Sequence, residues 1–138
     1  MGDTTLAELT ATELLRHFQA GTASPVEATR AVLERIERLN PVLRAYCLVD
    51  ADAALAAARA SEARWHRGAP CGPLDGVPTS IKDLILTRGW PTLRGSRAID
   101  PAQPWDVDAP VVARLREAGA VLVGKTTTPE FGCKGETN

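Results

Sequence analysis

The residues best equipped for chemistry stand in one stretch, Gly72-Pro73-Leu74-Asp75-Gly76-Val77-Pro78-Thr79-Ser80-Ile81-Lys82-Asp83, where a Gly- and Pro-punctuated approach opens into a short apolar run ending on a lysine. Alternation along an extended chain puts Val77, Thr79 and Ile81 on one face and Ser80 with Lys82 on the other. A neutral lysine can take a proton from a serine hydroxyl, the Ser–Lys form of nucleophilic catalysis. To be neutral at pH 7 a lysine must fall about three below its ordinary pKa of about 10.4, at a cost of roughly 4 kcal/mol that desolvation can impose. The competing reading is structural: the ammonium reaches water while the stem covers core.

Ser80 is a poor partner for that lysine. Side chains two apart on a strand stand parallel at nearly 7 Å (roughly twice the rise per residue), too far for a direct hydrogen bond. The serine that Lys82 would serve therefore lies elsewhere in the fold. Asp83, directly after the strand, points to the opposite side, where orienting nearby backbone amides is the expected role.

A second string invites a different chemistry. Gly119-Ala120-Val121-Leu122-Val123-Gly124-Lys125-Thr126 fits the phosphate-loop pattern G-x-x-x-x-G-K-[ST] letter for letter. That pattern binds phosphate only when a strand precedes it, a loop lies between the glycines and a helix begins at the lysine. Here a helix precedes, the intervening Ala-Val-Leu-Val is itself a strand, and Thr126-Thr127-Thr128-Pro129 delays any following helix. Gly119 reads as a helix C-cap and Gly124 as a strand exit.

The elements that must position Lys82 are signalled by caps and turns. Thr10 with Glu13 and Ser24 with Glu27 are capping boxes that open two helices, the second with Pro25 at its first position. Val32, Leu33, Ile36 and Leu39 form the second helix's apolar face, and Asn40-Pro41 is expected to stop it. Leu43–Val49 reads as a strand, Asp50 caps an Ala-rich third helix closed by Gly68, and Asp108 caps a fourth through Ala118. Ala120–Val123 has the continuous apolar pattern of a strand buried on both faces, so helix followed by buried strand implies a parallel α/β unit. Between the Lys82 strand and the fourth helix, Thr87–Val107 lacks periodicity and is expected to wrap over a site. His17 and His66 read as solvent residues without a catalytic partner.

Composition excludes several classes. In 138 residues, 44% hydrophobic and 24% charged with a net charge of −1, there is no electrostatic basis for a nucleic-acid or anionic-membrane partner. No apolar stretch is long enough for a membrane span and Met1–Thr5 begins polar and acidic, which leads us to expect a cytoplasmic protein. Cys47, Cys71 and Cys133 are odd in number and widely spaced, so no disulfide framework, metal site or cofactor is expected.

Four separated motifs in order resemble one family. Gly72-Pro-Leu-Asp-Gly-Val-Pro-Thr-Ser-Ile-Lys-Asp-Leu84, then Gly95-Ser96, then Asp108-Ala-Pro-Val-Val-Ala-Arg-Leu115, then Gly119–Thr126 with Pro129-Glu-Phe-Gly132 are together similar to the N-terminal part of an amidase signature enzyme, a family that includes the amidase-like subunit of glutamyl-tRNA amidotransferases. The resemblance spans nearly the whole chain and is strongest from Gly72 onward. It implies an α/β fold, the N-terminal part of a mixed β-sheet flanked by helices, with a helical part at 1–40 and an α/β part at 41–138 of one truncated domain.

It also implies the activity: hydrolysis of a carboxamide, or transfer of its ammonia, by a Ser–cis-Ser–Lys triad in which Lys82 matches the lysine. The family's two serines and oxyanion loop lie in a Gly/Ser-rich segment placed after the position of Asn138, and no Gly-Gly-Ser-Ser-Gly-like run occurs in this sequence. The 138 residues alone are thus expected to be inactive toward a small-molecule amide and, with sheet edges and apolar faces uncovered, to self-associate. Thr127 departs from the family's common Asn after Lys-Thr. A small α/β binding or assembly module without catalysis is the alternative of a different class.

Overall fold

A computed structural model describes residues 5–135; the polar start at Met1–Thr4 and the tail 136–138 lie outside it. Both capping boxes form. Thr10 opens α1 (Ala11–Ala20) and Ser24 opens α2 (Pro25–Leu43), each accepting from the backbone N–H three residues on while that residue's glutamate accepts from the cap's own N–H, at 2.7 Å for Glu13 and 2.8 Å for Glu27. Then follow β1 (Tyr46–Val49), α3 (Ala51–His66), β2 (Pro78–Lys82), α4 (Pro110–Glu117) and β3 (Val121–Thr126), with single 3-10 turns at Leu6–Glu8 and Glu130–Gly132.

The strand order is β1-β3-β2, with β3 antiparallel to β1 and parallel to β2. The continuous apolar run is thus the middle strand, and Val121, Leu122, Val123, Gly124 and Lys125 are all buried. One face packs Val121 and Val123 against Val26, Ala54 and Ala58 of α2 and α3. Ala54 and Ala58 are fully buried, so it is their small side chains that let α3 approach the sheet closely. The other face packs Leu122 with Ile81, Val112 of α4 and Trp90 of the long connection.

Four local expectations are corrected. Proline does not stop α2, which runs through Pro41 to Leu43. The amide Pro41 lacks would have bonded the carbonyl of exposed Glu37, which water can satisfy, and termination is instead set by Arg44 at φ 49° and by Asn40, whose side chain exchanges hydrogen bonds with both backbone groups of Tyr46. The first strand accordingly begins at Tyr46 rather than Leu43.

Asp108 does not cap α4. Ala109 occupies the N-cap without a side-chain bond, and Asp108 accepts from the Arg88 N–H at 2.7 Å and from Arg116 Nε at 3.0 Å. Gly124 is no strand exit either but lies inside β3, in register with Val49 of β1 and beside a break in the β2 register between Thr79 and Ser80. A Cβ there would stand 2.1 Å from the Leu48 carbonyl oxygen, so the position needs glycine for the close approach of β1.

Candidate active site

Lys82 closes β2 at the carboxyl end of a parallel pair, opposite Thr126 of β3. Pro78 can begin this strand because a first-strand position asks no ladder hydrogen bond of it. Ile81 is 3% exposed, while Ser80 and Lys82 on the other side are solvent-accessible, as alternation requires. In open α/β sheets the crevice beyond the carboxyl ends of the strands is where ligands bind. Among the described residues Lys82 makes no ion pair.

The backbone around Lys82 is tied on both sides. The Asp83 N–H donates to the Thr126 carbonyl at 2.9 Å, and the Lys82 carbonyl accepts from the Ile85 N–H at 3.0 Å. Asp83 does face away from Lys82, but its carboxylate serves a side chain rather than backbone amides: its Oδ1 lies 3.1 Å from the Lys125 ammonium.

Lys125 holds a role that its phosphate-loop string does not announce. It is 0% exposed, and its Nζ also donates to the carbonyls of Ile85 at 3.1 Å and Pro91 at 3.3 Å and to Thr92 Oγ1. Burial pushes its pKa below the ordinary lysine value, with the Asp83 carboxylate opposing that shift. The sequence does contain a signal for this: a lysine two residues beyond a run buried on both faces cannot bring its ammonium to water and must find an anion inside. Gly119 precedes strand β3, Gly124 lies within it and α4 comes before both, so no loop of amides is available to cradle phosphate.

The long connection packs against the rest of the chain. Trp90 Nε1 donates to Asp50 Oδ2 at 2.9 Å, and Thr87, Thr92 and Ser96 are buried. Its Arg94 carbonyl accepts from the Phe131 N–H at 2.8 Å, and Ser96 Oγ donates to Glu130 Oε1 at 2.6 Å, which join two of the separated motifs in space.

The approach to β2 is locked by another buried carboxylate. Asp75, fully buried, accepts from Arg64 Nε and Nη2 at 2.9 and 2.6 Å and from the Cys71 N–H at 2.8 Å. Desolvation raises its pKa, but these hydrogen bonds outweigh it and hold the carboxyl below its usual range. Burial raises the thiols of Cys47 and Cys71, next to Asp83 and Asp75 respectively, which argues against either as a nucleophile. His66 is exposed and His17 Nδ1 pairs with Thr22 Oγ1 at 2.7 Å. Among the described residues no group of three His, Cys, Asp or Glu side chains is placed to hold a metal ion, and no helix is long and apolar enough to cross a membrane.

With this arrangement in view, the family model described as Amidase matches residues 27–138. The chain belongs to the amidase signature family. Among its relatives, a glutamyl-tRNA(Gln) amidotransferase subunit from Myxococcus xanthus is 50% identical over 126 residues, covering 91% of this chain and 26% of that protein. The peptide amidase from Stenotrophomonas maltophilia superposes with a TM-score of 0.83 at 36% identity, over 91% of this chain and 26% of that one. A bacterial aryl acylamidase of the amidase signature family superposes at 0.86 with 31% identity, over 94% of this chain and 27% of that one. The chain therefore spans about a quarter of the length of the proteins it resembles, and its mixed sheet with flanking helices corresponds to their N-terminal part.

Proposed function

We propose that this chain supplies the base lysine, Lys82, of an amidohydrolase that converts a linear carboxamide to carboxylate and ammonia by a Ser–cis-Ser–Lys triad. The observation that carries this reading is the placement of Lys82: an accessible amine without an ion-pair partner among the described residues, at the carboxyl end of a strand in the parallel pair. Neutral Lys82 takes a proton from the bridging serine, which takes one from the nucleophilic serine as it attacks the amide carbon. The C–N bond then breaks and the nitrogen leaves as ammonia with a proton returned along the same path; water later releases the acid. Neither serine is assigned to these 138 residues, which match about a quarter of the length of their relatives, and the 138 residues alone are expected to be inactive.

The similarity to an amidotransferase subunit supports one variant of this reading, in which the released ammonia passes to an activated carboxyl acceptor instead of to water. Three free cysteines suit a cytoplasmic setting, where thiols stay reduced. The 138-residue chain is further proposed to self-associate, because β1 and β2 each pair on one side only among the described strands and Val42 and Leu43 are 83% and 64% exposed. Sedimentation would find dimers or larger species; a strictly monomeric profile at high concentration contradicts this.

The function is tested by following ammonia release from a panel of alkyl, aryl and amino-acid amides by the full-length protein. Release by the wild type that is absent in Lys82→Met supports the assignment. Release by the 138 residues alone overturns the division of the triad.

A further inference from the structure

We propose that Lys125 is a positioning residue for Lys82: its buried ammonium gathers the chain leaving β2 into one fixed turn and so sets the backbone from which Lys82 projects. This rests on the catalytic role proposed for Lys82. The two residues are close in the sheet without sharing a side. Lys125 pairs in register with Ile81, and Lys82 with Thr126, on adjacent parallel strands.

An ammonium has three N–H donors, and Lys125 directs them at four acceptors drawn entirely from the segment after Lys82: Asp83 Oδ1, the Ile85 and Pro91 carbonyls and Thr92 Oγ1. That segment has no regular secondary structure to satisfy its carbonyls. The Ile85 carbonyl also accepts from Thr87 Oγ1 at 3.1 Å and Thr92 Oγ1 at 3.4 Å, so three donors converge on one oxygen. Ile85 in turn donates its N–H to the Lys82 carbonyl at 3.0 Å. The path from the Lys125 ammonium to the Lys82 backbone is therefore one residue long.

A base must sit within a fraction of an ångström of its productive place, and a misplacement of about 1 Å costs about 10²-fold in rate. Lys125→Met in the full-length protein is expected to lower kcat by about 10²-fold with KM changed by no more than about threefold, and to move the acid limb of the kcat/KM–pH profile. Thr92→Val removes one acceptor while leaving the charge in place, and is expected to lower kcat by about tenfold with the same KM pattern.

Folded Lys125→Met with kcat and pH profile like the wild type overturns the proposal. Should Lys125→Met not fold, Thr92→Val decides, and wild-type kcat in that variant overturns it equally. Lys82→Met is run beside them to separate the two claims: activity surviving there defeats the catalytic role of Lys82, whereas activity lost there but kept in folded Lys125→Met defeats positioning alone.

Discussion

Two lysines stand on adjacent strands, one register step apart, and the fold treats them oppositely. Lys82 ends edge strand β2 on the open side, solvent-accessible and without an ion-pair partner among the described residues. Lys125 lies in middle strand β3, 0% exposed, with Asp83 as counter-ion and three neutral acceptors. The residue type is the same; the address decides the role. A charge enclosed on every side must be neutralised where it stands, which fixes structure, whereas an amine left accessible at a strand end is not committed to a partner.

The contrast is sharpest in stability. Lys125→Met leaves the Asp83 carboxylate buried and unpaired, and should cost about 3–5 kcal/mol by denaturant unfolding, whereas Lys82→Met should change stability by no more than about 0.5 kcal/mol. Equal losses in the two variants would break the comparison.

Next in size is the second buried pair. Arg64 is 26% exposed and Asp75 not at all, so Arg64→Met orphans the carboxylate and should cost about 3 kcal/mol in the same measurement, near the lower end for a pair with one partner part-wet. Because the folded Asp75 carboxyl titrates below its unfolded value of about 3.9, its contribution is fully present above that pH and is lost as pH falls through the folded value. Acid titration of stability should therefore show a wild-type loss beginning below about pH 3.9 that is smaller in Arg64→Met. The smallest expected loss of a stabilising contact is at a helix entry far from both pairs: Ser24→Ala removes the acceptor for the Glu27 N–H and should cost about 1 kcal/mol in thermal unfolding.

What was legible in the sequence was what local chemistry dictates. Thr10/Glu13, Ser24/Glu27 and Asp50 mark helix starts because capping is settled within four residues, and the apolar run Ala120–Val123 marks a strand because burial on both faces leaves no room for polar side chains. The placement of Lys82 at the end of its strand followed from the same alternation.

What was not legible depends on partners distant in the chain. Lys125 meets Pro91 and Thr92 across more than thirty residues, a separation of 34 and 33, and pairs with Asp83, so its role is invisible to any local pattern of partners. Asp108 looked like a cap because helix and aspartate were adjacent, but Arg88 and Arg116 compete for the same carboxylate and win it. Pro41 was overruled by Asn40 and Tyr46, whose paired hydrogen bonds set the end of α2 beyond it.

We propose the chemistry for the accessible lysine, not the enclosed one. The measurement that tests this most directly is kcat/KM for hydrolysis of a simple carboxamide by the full-length protein carrying Lys82→Met, alongside its thermal unfolding. We predict a loss of at least about 10³-fold with an unfolding midpoint like that of the wild type. Wild-type turnover in a folded Lys82→Met variant would contradict it.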